Sequence, residues 1–194
     1  MPQKSREIQG LRIEPVTKTH WRDLESLFGE RGACGGCWCM SWRLLKKDFD
    51  AQKGEGNKAA LKKMVTAGKT PGLIAYINDE PIGWISVAPR EEFARLDKAR
   101  SLKPIDDQPV WSVVCFFVAK QHRRQGVGVE LLKGAIEYVR KLGGKIVEGY
   151  PSVPKGELPD PFIYTGTLSG FLRAGFKEVA RPSDSRAIVR CEVS

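Results

Sequence analysis

Residues 114–132, VCFFVAKQHRRQGVGVELL, constrain the fold more than any other stretch of the chain. The run that leads into them, residues 110–119, carries Val, Phe, Trp and Cys on both alternating faces, as a strand covered on two sides requires. From 125 to 142, Leu131, Leu132, Ala135, Ile136, Val139 and Leu142 recur at helical spacing and stop at Gly143 and Gly144. A buried strand, a basic glycine-bearing turn and an amphipathic helix, in that order, demand an α/β core. A helix start presents unpaired N–H groups and partial positive charge, and Gly126 and Gly128 let a diphosphate approach the backbone with no Cβ in the way. Arg123 and Arg124 add side-chain charge.

This turn has three other readings. A P-loop needs G-x-x-x-x-G-K-[ST], which nothing here matches. A dinucleotide fingerprint would put glycine at Leu131, although Glu148 lies near the spacing of its ribose-binding acid. A helix that begins with small residues for steric reasons alone is the third.

The rest of the chain supplies further strands and helices. Residues 11–16 alternate as a short strand, and Thr19 offers a cap to a helix carrying Trp21, Leu24 and Phe28 that stops at Gly29. Residues 38–47 are expected to be helical, as are 58–67. Residues 72–77 and 81–87 read as an antiparallel hairpin around Asn78, Asp79 and Glu80. A short helix over 89–99, a strand over 145–150, a helix over 167–174 and strands over 176–181 and 187–193 complete the pattern.

At 194 residues the chain suits one domain, here 11–194 after a polar tail at 1–10. That tail lacks the apolar core of a secretion signal, and the longest apolar run, 109–119, is shorter than the ~20 residues of a membrane span. A cytoplasmic location is the expectation. Five cysteines, three of them at Cys34, Cys37 and Cys39, suggest reduced thiols rather than a disulfide framework. The net charge of +9 raises the possibility of a nucleic-acid partner, but the basic residues are dispersed and no nucleic-acid-binding signature accompanies them.

Residues 123–128, RRQGVG, resemble the pattern [RQ]-x-x-G-x-[GA] that follows an apolar strand in the GNAT superfamily of acetyl-CoA-dependent N-acetyltransferases. FLRAGF at 171–176 is similar to that family's aromatic-x-x-x-G-F segment, so the resemblance spans roughly the C-terminal two-thirds. It implies an α/β (α+β) fold: a mixed, mostly antiparallel central sheet of about six to seven strands, splayed at its middle strand, with helices on both faces. It also implies acetyl-CoA as co-substrate with no metal, and a primary-amine acceptor. By position, Phe116, Phe117 and Val118 would meet the pantetheine arm through their backbone. The amides of Arg123, Arg124, Gln125, Gly126, Val127, Gly128 and Val129 would hold the pyrophosphate.

The implied chemistry is direct attack of a neutral amine on the thioester carbonyl. A lysine-like amine of pKa ~10.4 must lose a proton at a cost of about 4.6 kcal/mol at pH 7, so a positioned base is useful. Glu148 is the candidate base, an ion pair with Lys145 being the other role the position allows; Asp106 and Asp107 stand further back. The Val118 amide is the candidate oxyanion donor. Where many family members have a tyrosine that protonates the leaving thiolate, this chain has Phe171, which passes that role to Tyr164, Ser169 or water. Trp38, Met40 and Trp42 are candidates for an apolar acceptor pocket, and the three cysteines beside them read as packing or, less simply, as metal ligands. A non-catalytic acyl-CoA sensor is the alternative function, and a homodimer is compatible with everything above.

Overall fold

The computed structural model describes residues 8–153 and 164–193. Most of the tail expected at 1–10, and Ser194, fall outside them. Seven strands, β1 (Leu11–Pro15), β2 (Gly72–Ile77), β3 (Glu80–Pro89), β4 (Trp111–Val118), β5 (Ile146–Gly149), β6 (Lys177–Ser183) and β7 (Arg186–Glu192), form one sheet in the order β1-β2-β3-β4-β5-β7-β6. Every pairing is antiparallel except β4 with β5. The β2–β3 hairpin turns on Asn78 and Asp79, both at positive φ (48° and 66°), the geometry whose twist suits a two-residue loop. The parallel pair needs a crossover, and the amphipathic helix α5 (Val127–Lys141) supplies it.

Two apolar clusters sandwich the sheet. On one face α1 (Trp21–Phe28) and α3 (Glu55–Thr66) bring Leu24, Phe28, Leu61 and Val65 against Ile74 and Trp84. On the other, Leu131, Leu132, Ala135 and Val139 of α5 cover Leu73, Ile85, Val113 and Val147. The expected α/β sheet with helices on both faces is therefore the observed one. No helix among the described residues is long and apolar enough to cross a membrane.

Local differences from expectation have physical causes. Residues 38–45 are turns rather than helix, and α2 (Lys46–Ala51) begins only afterwards. Trp38 and Cys39 sit at φ 43° and 53°, left-handed values that no α-helix admits and that cost about 1–2 kcal/mol per residue. The strain is offset by burial of Trp38, which is 3% exposed, stacked on Trp21 at 6.1 Å and edge-on to Phe28 at 5.5 Å. The 89–99 segment is split into a 3-10 turn at Arg90–Glu92 and α4 (Ala94–Lys98). At the start of that turn the Arg90 side chain points inward to a buried carboxylate.

β4 and β5 share only three paired positions, Trp111 with Val147, Ser112 with Glu148 and Val113 with Gly149. Beyond Val113, β4 runs on to Val118 without that neighbour. The ring of Phe171, from α6 (Leu168–Arg173), fills the gap at its root. It packs edge-on to Phe116, and Gly149 admits it because a Cβ there would lie 2.1 Å from its Cε1.

Candidate active site

The gap between β4 and β5 opens into a cavity of about 520 Å³. Its wall is built from the loop carrying Cys34, Cys37 and Ser41, from Cys115 to Val118 of β4, from the turn and first residues of α5, and from Tyr164 to Arg173. The end formed by the α5 start is basic and rich in exposed backbone. Gly126 caps the helix at φ 90°, and a Cβ on it or on Gly128 would meet nothing within 4 Å, so both backbones face open space. His122, Arg123, Arg124 and Arg173 stand around them.

Of the residues the sequence assigns to cofactor, Phe116, Phe117, Val118, Arg123, Arg124, Gly126, Val127, Gly128 and Val129 all line this cavity. Gln125 does not; its side-chain amide donates to the Gln121 carbonyl at 2.8 Å. Two backbone groups on β4 are engaged by the protein itself. The Phe116 N–H donates to the Tyr164 carbonyl at 2.6 Å, and the Val118 carbonyl accepts from Arg123 Nε at 2.9 Å.

The proton-transfer candidates divide. Tyr164 is on the cavity wall, and burial, followed by the neighbouring Cys115, raises its phenol above the ordinary tyrosine value. Glu148, the candidate base, is neither at the cavity nor at the surface. It is 1% exposed, accepts from Tyr150 Oη and Arg190 Nε at 2.7 Å each, and lies 3.3 Å from Arg90 Nη1. Its carboxylate faces the underside of the β4–β5 junction, where Ser112 also bonds Tyr150. Asp106 is held by both Arg190 amino groups at 2.6 and 3.0 Å, and that bond lowers its pKa. Neither Asp106, Asp107 nor Ser169 is on the wall, and among the described residues no carboxylate lines the cavity.

The acceptor residues are corrected as well. Trp38 and Met40 are 3% and 2% exposed in the core, and Trp42 packs against that core; none lines the cavity. Their loop neighbours Cys34, Cys37 and Ser41 do. Left-handed Trp38 and Cys39 reverse the chain, so the large side chains point inward and the small ones face the cavity. Facing this loop, Cys115 Sγ lies 2.8 Å from Cys39 Sγ. No group of three or more His, Cys, Asp or Glu among the described residues could hold a metal ion.

Sequence reasoning missed Arg173, Cys115 and the turn through Gly166 and Thr167. No local pattern marks them: Arg173 reaches the cavity from α6, Gly166 and Thr167 from the turn before it, and Cys115 lies on β4 among apolar residues that read only as core. The assembled site can take an elongated anion, its charge at the α5 start and its neutral end toward the cysteine loop.

Residues 38–150, more than half of the chain, match the model of the Acetyltransferase (GNAT) family. No curated protein matches the chain. Among solved structures, it is similar to the PaiA N-acetyltransferase of Thermoplasma acidophilum in complex with coenzyme A, at 15% identity, 94% and 98% coverage of the two chains and a TM-score of 0.54. YncA of Salmonella typhimurium, solved with its cofactor acetyl-CoA, gives 13%, 96%, 95% and 0.54. A GNAT-family acetyltransferase of Streptococcus pneumoniae gives 12%, 95%, 99% and 0.52. At these identities the likeness is one of fold.

Proposed function

Because the chain belongs to the GNAT acetyltransferase family, we propose that it moves an acetyl group from acetyl-CoA to a primary amine by direct attack, with the cavity between β4 and β5 as the site. The observation that carries this is the start of α5, where left-handed Gly126 and open-faced Gly128 leave room for phosphates beside Arg124 and Arg173. The cavity fits the cofactor in charge and shape: a basic glycine end suits its phosphates, and the apolar wall of Phe116, Phe117 and Val118 suits its arm. When bound, acetyl-CoA supplies an acetyl thioester as the electrophile.

The protein's own residues take the following parts. Amides from Arg124 to Gly128 hold the pyrophosphate, those of Arg123 and Val129 being already bonded to the Lys120 and Gly126 carbonyls, and Arg173 adds a cation. The N–H of Phe116 serves the ligand only after release from the Tyr164 carbonyl. The Val118 amide, on the strand beyond the point where β5 departs, is the oxyanion donor. Tyr164, a phenol on the cavity wall, is the acid that Phe171 cannot be. Glu148 acts at a distance, fixing the β4–β5 junction, and the acceptor's proton leaves to solvent at the cysteine-loop end. The continuous sheet from Leu11 to Glu192 supports treating 11–194 as one acetyltransferase domain, and a cytoplasmic place belongs to the same reading.

Titration calorimetry with acetyl-CoA, with NADH as control, is the test. A micromolar isotherm, about −8 kcal/mol, that Gly126→Glu abolishes while the melting curve keeps its cooperativity is the expected result. Binding retained in Gly126→Glu would remove the site. The absence of a carboxylate on the described wall, with Phe171 at the usual acid position, favours a sensor as second reading; normal binding with no CoA release across a broad amine panel would select it.

A further inference from the structure

Four of the five cysteines gather at the end of the cavity away from the α5 start. Cys34, Cys37 and Cys115 line it, and Cys39 lies directly behind Cys115. Two consecutive left-handed residues, Trp38 and Cys39, deliver the Cys39 sulfur to the central strand. There it accepts the Trp84 indole N–H at 3.0 Å, a donor that favours negative charge on sulfur. Its 2.8 Å separation from Cys115 Sγ compares with about 2.05 Å in a disulfide, so bond formation needs movement of well under an ångström. Cys39 is 2% exposed and Cys115 6%, so a reagent reaches the pair through the cavity, at Cys115.

We propose that Cys39 and Cys115 are a dithiol site that reduces a small organic disulfide admitted by the cavity and stores the oxidising equivalents as an internal disulfide. Cys115 sulfur attacks one sulfur of the incoming disulfide, forming a mixed disulfide and releasing the first thiol with the Cys115 proton. Cys39 sulfur then attacks Cys115 Sγ, closing the Cys39–Cys115 bond and releasing the second thiol with the Cys39 proton. Two protein thiols are oxidised and one disulfide is reduced to two thiols, with no other reactant. Burial holds the Cys39 thiol well above its ordinary value, and the Cys37 thiol is raised first by its hydrogen bond to Cys39. The second step therefore depends on contact between the two sulfurs rather than on a standing Cys39 thiolate. Nothing in this chemistry requires acetyl-CoA, so the proposal stands apart from the transferase reading.

The test uses the full chain carrying Cys34→Ser, which removes the exposed thiol, exposed to bis(hydroxyethyl) disulfide and digested without reductant for mass mapping. The expected product is a Cys39–Cys115 cross-linked peptide lacking two hydrogens, with a higher melting temperature for the oxidised protein that reductant reverses. Adding Cys39→Ser should leave a stable hydroxyethyl mixed disulfide on Cys115. A cross-link that includes Cys37, a mixed disulfide persisting on Cys115 while Cys39 is present, or an unmodified pair would each overturn the proposal. The cross-link is mapped with Cys39 and Cys115 both in place, so the result does not hang on how Cys39→Ser folds.

Discussion

Replacing Glu148 by Gln would leave two guanidinium groups, those of Arg90 and Arg190, without the buried carboxylate that both of them face. Breaking a buried ion pair from one side costs roughly 3–5 kcal/mol, because the remaining charge stays desolvated. Glu148→Gln is therefore expected to lower the urea midpoint sharply while leaving acetyl-CoA affinity within about twofold, since the side chain is off the cavity wall. A variant of unchanged stability and lost turnover would instead restore Glu148 as a base. Tyr164→Phe should do the reverse, with turnover falling by about 100-fold and binding intact, because the carbonyl that meets Phe116 is retained. Steady-state rates beside calorimetry read both halves. The helix start at Gly126 was legible because a glycine-bearing turn before an apolar stripe is a local signal. The burial of Glu148 was not legible, because its surroundings come from Arg90, Arg190 and Tyr150, two of them more than 40 residues away.

The β5–α6 junction depends on a missing side chain. Gly149→Ala would set a methyl group 2.1 Å from Phe171 Cε1 and 2.6 Å from Cζ, against a ring that is fully buried and wedged beside Phe116 and Phe176. Overpacking of this kind costs about 1–3 kcal/mol, so denaturant melts should show that loss. An unchanged midpoint would mean that the junction yields more easily than its packing implies. Regular elements were readable from periodicity: residues 72–77 coincide with β2, and the stripe of Leu131, Leu132, Ala135 and Val139 faces the core as expected. The loop before α2 was not. Trp38 and Trp42 stand four residues apart, as on one face of a helix, and only the left-handed pair at Trp38 and Cys39 decides otherwise.

Across the whole molecule, several carboxylates are held below their ordinary range by a cationic neighbour: Glu25 by Lys58, Asp50 by Lys46, Asp106 by Arg190 and Glu178 by Arg181. A depressed folded-state pKa contributes stability that is present above the unfolded value, near 4, and is lost as pH falls through the folded value. Protonation also enlarges a net charge that is already +9, adding self-repulsion. Urea midpoints measured from pH 6 down to pH 3 should therefore decline mainly below about pH 4.5, and less steeply in Asp106→Asn; a flat profile would show these pairs to be energetically idle. The three-rung seam between β4 and β5 divides the sheet into a four-strand leaf and a three-strand leaf, and the cavity runs along that seam where further rungs would otherwise lie. A guest lying there would touch β4 on one side and the 164–173 segment on the other, as a clasp touches two covers, so occupancy and resistance to unfolding become two readings of the same event.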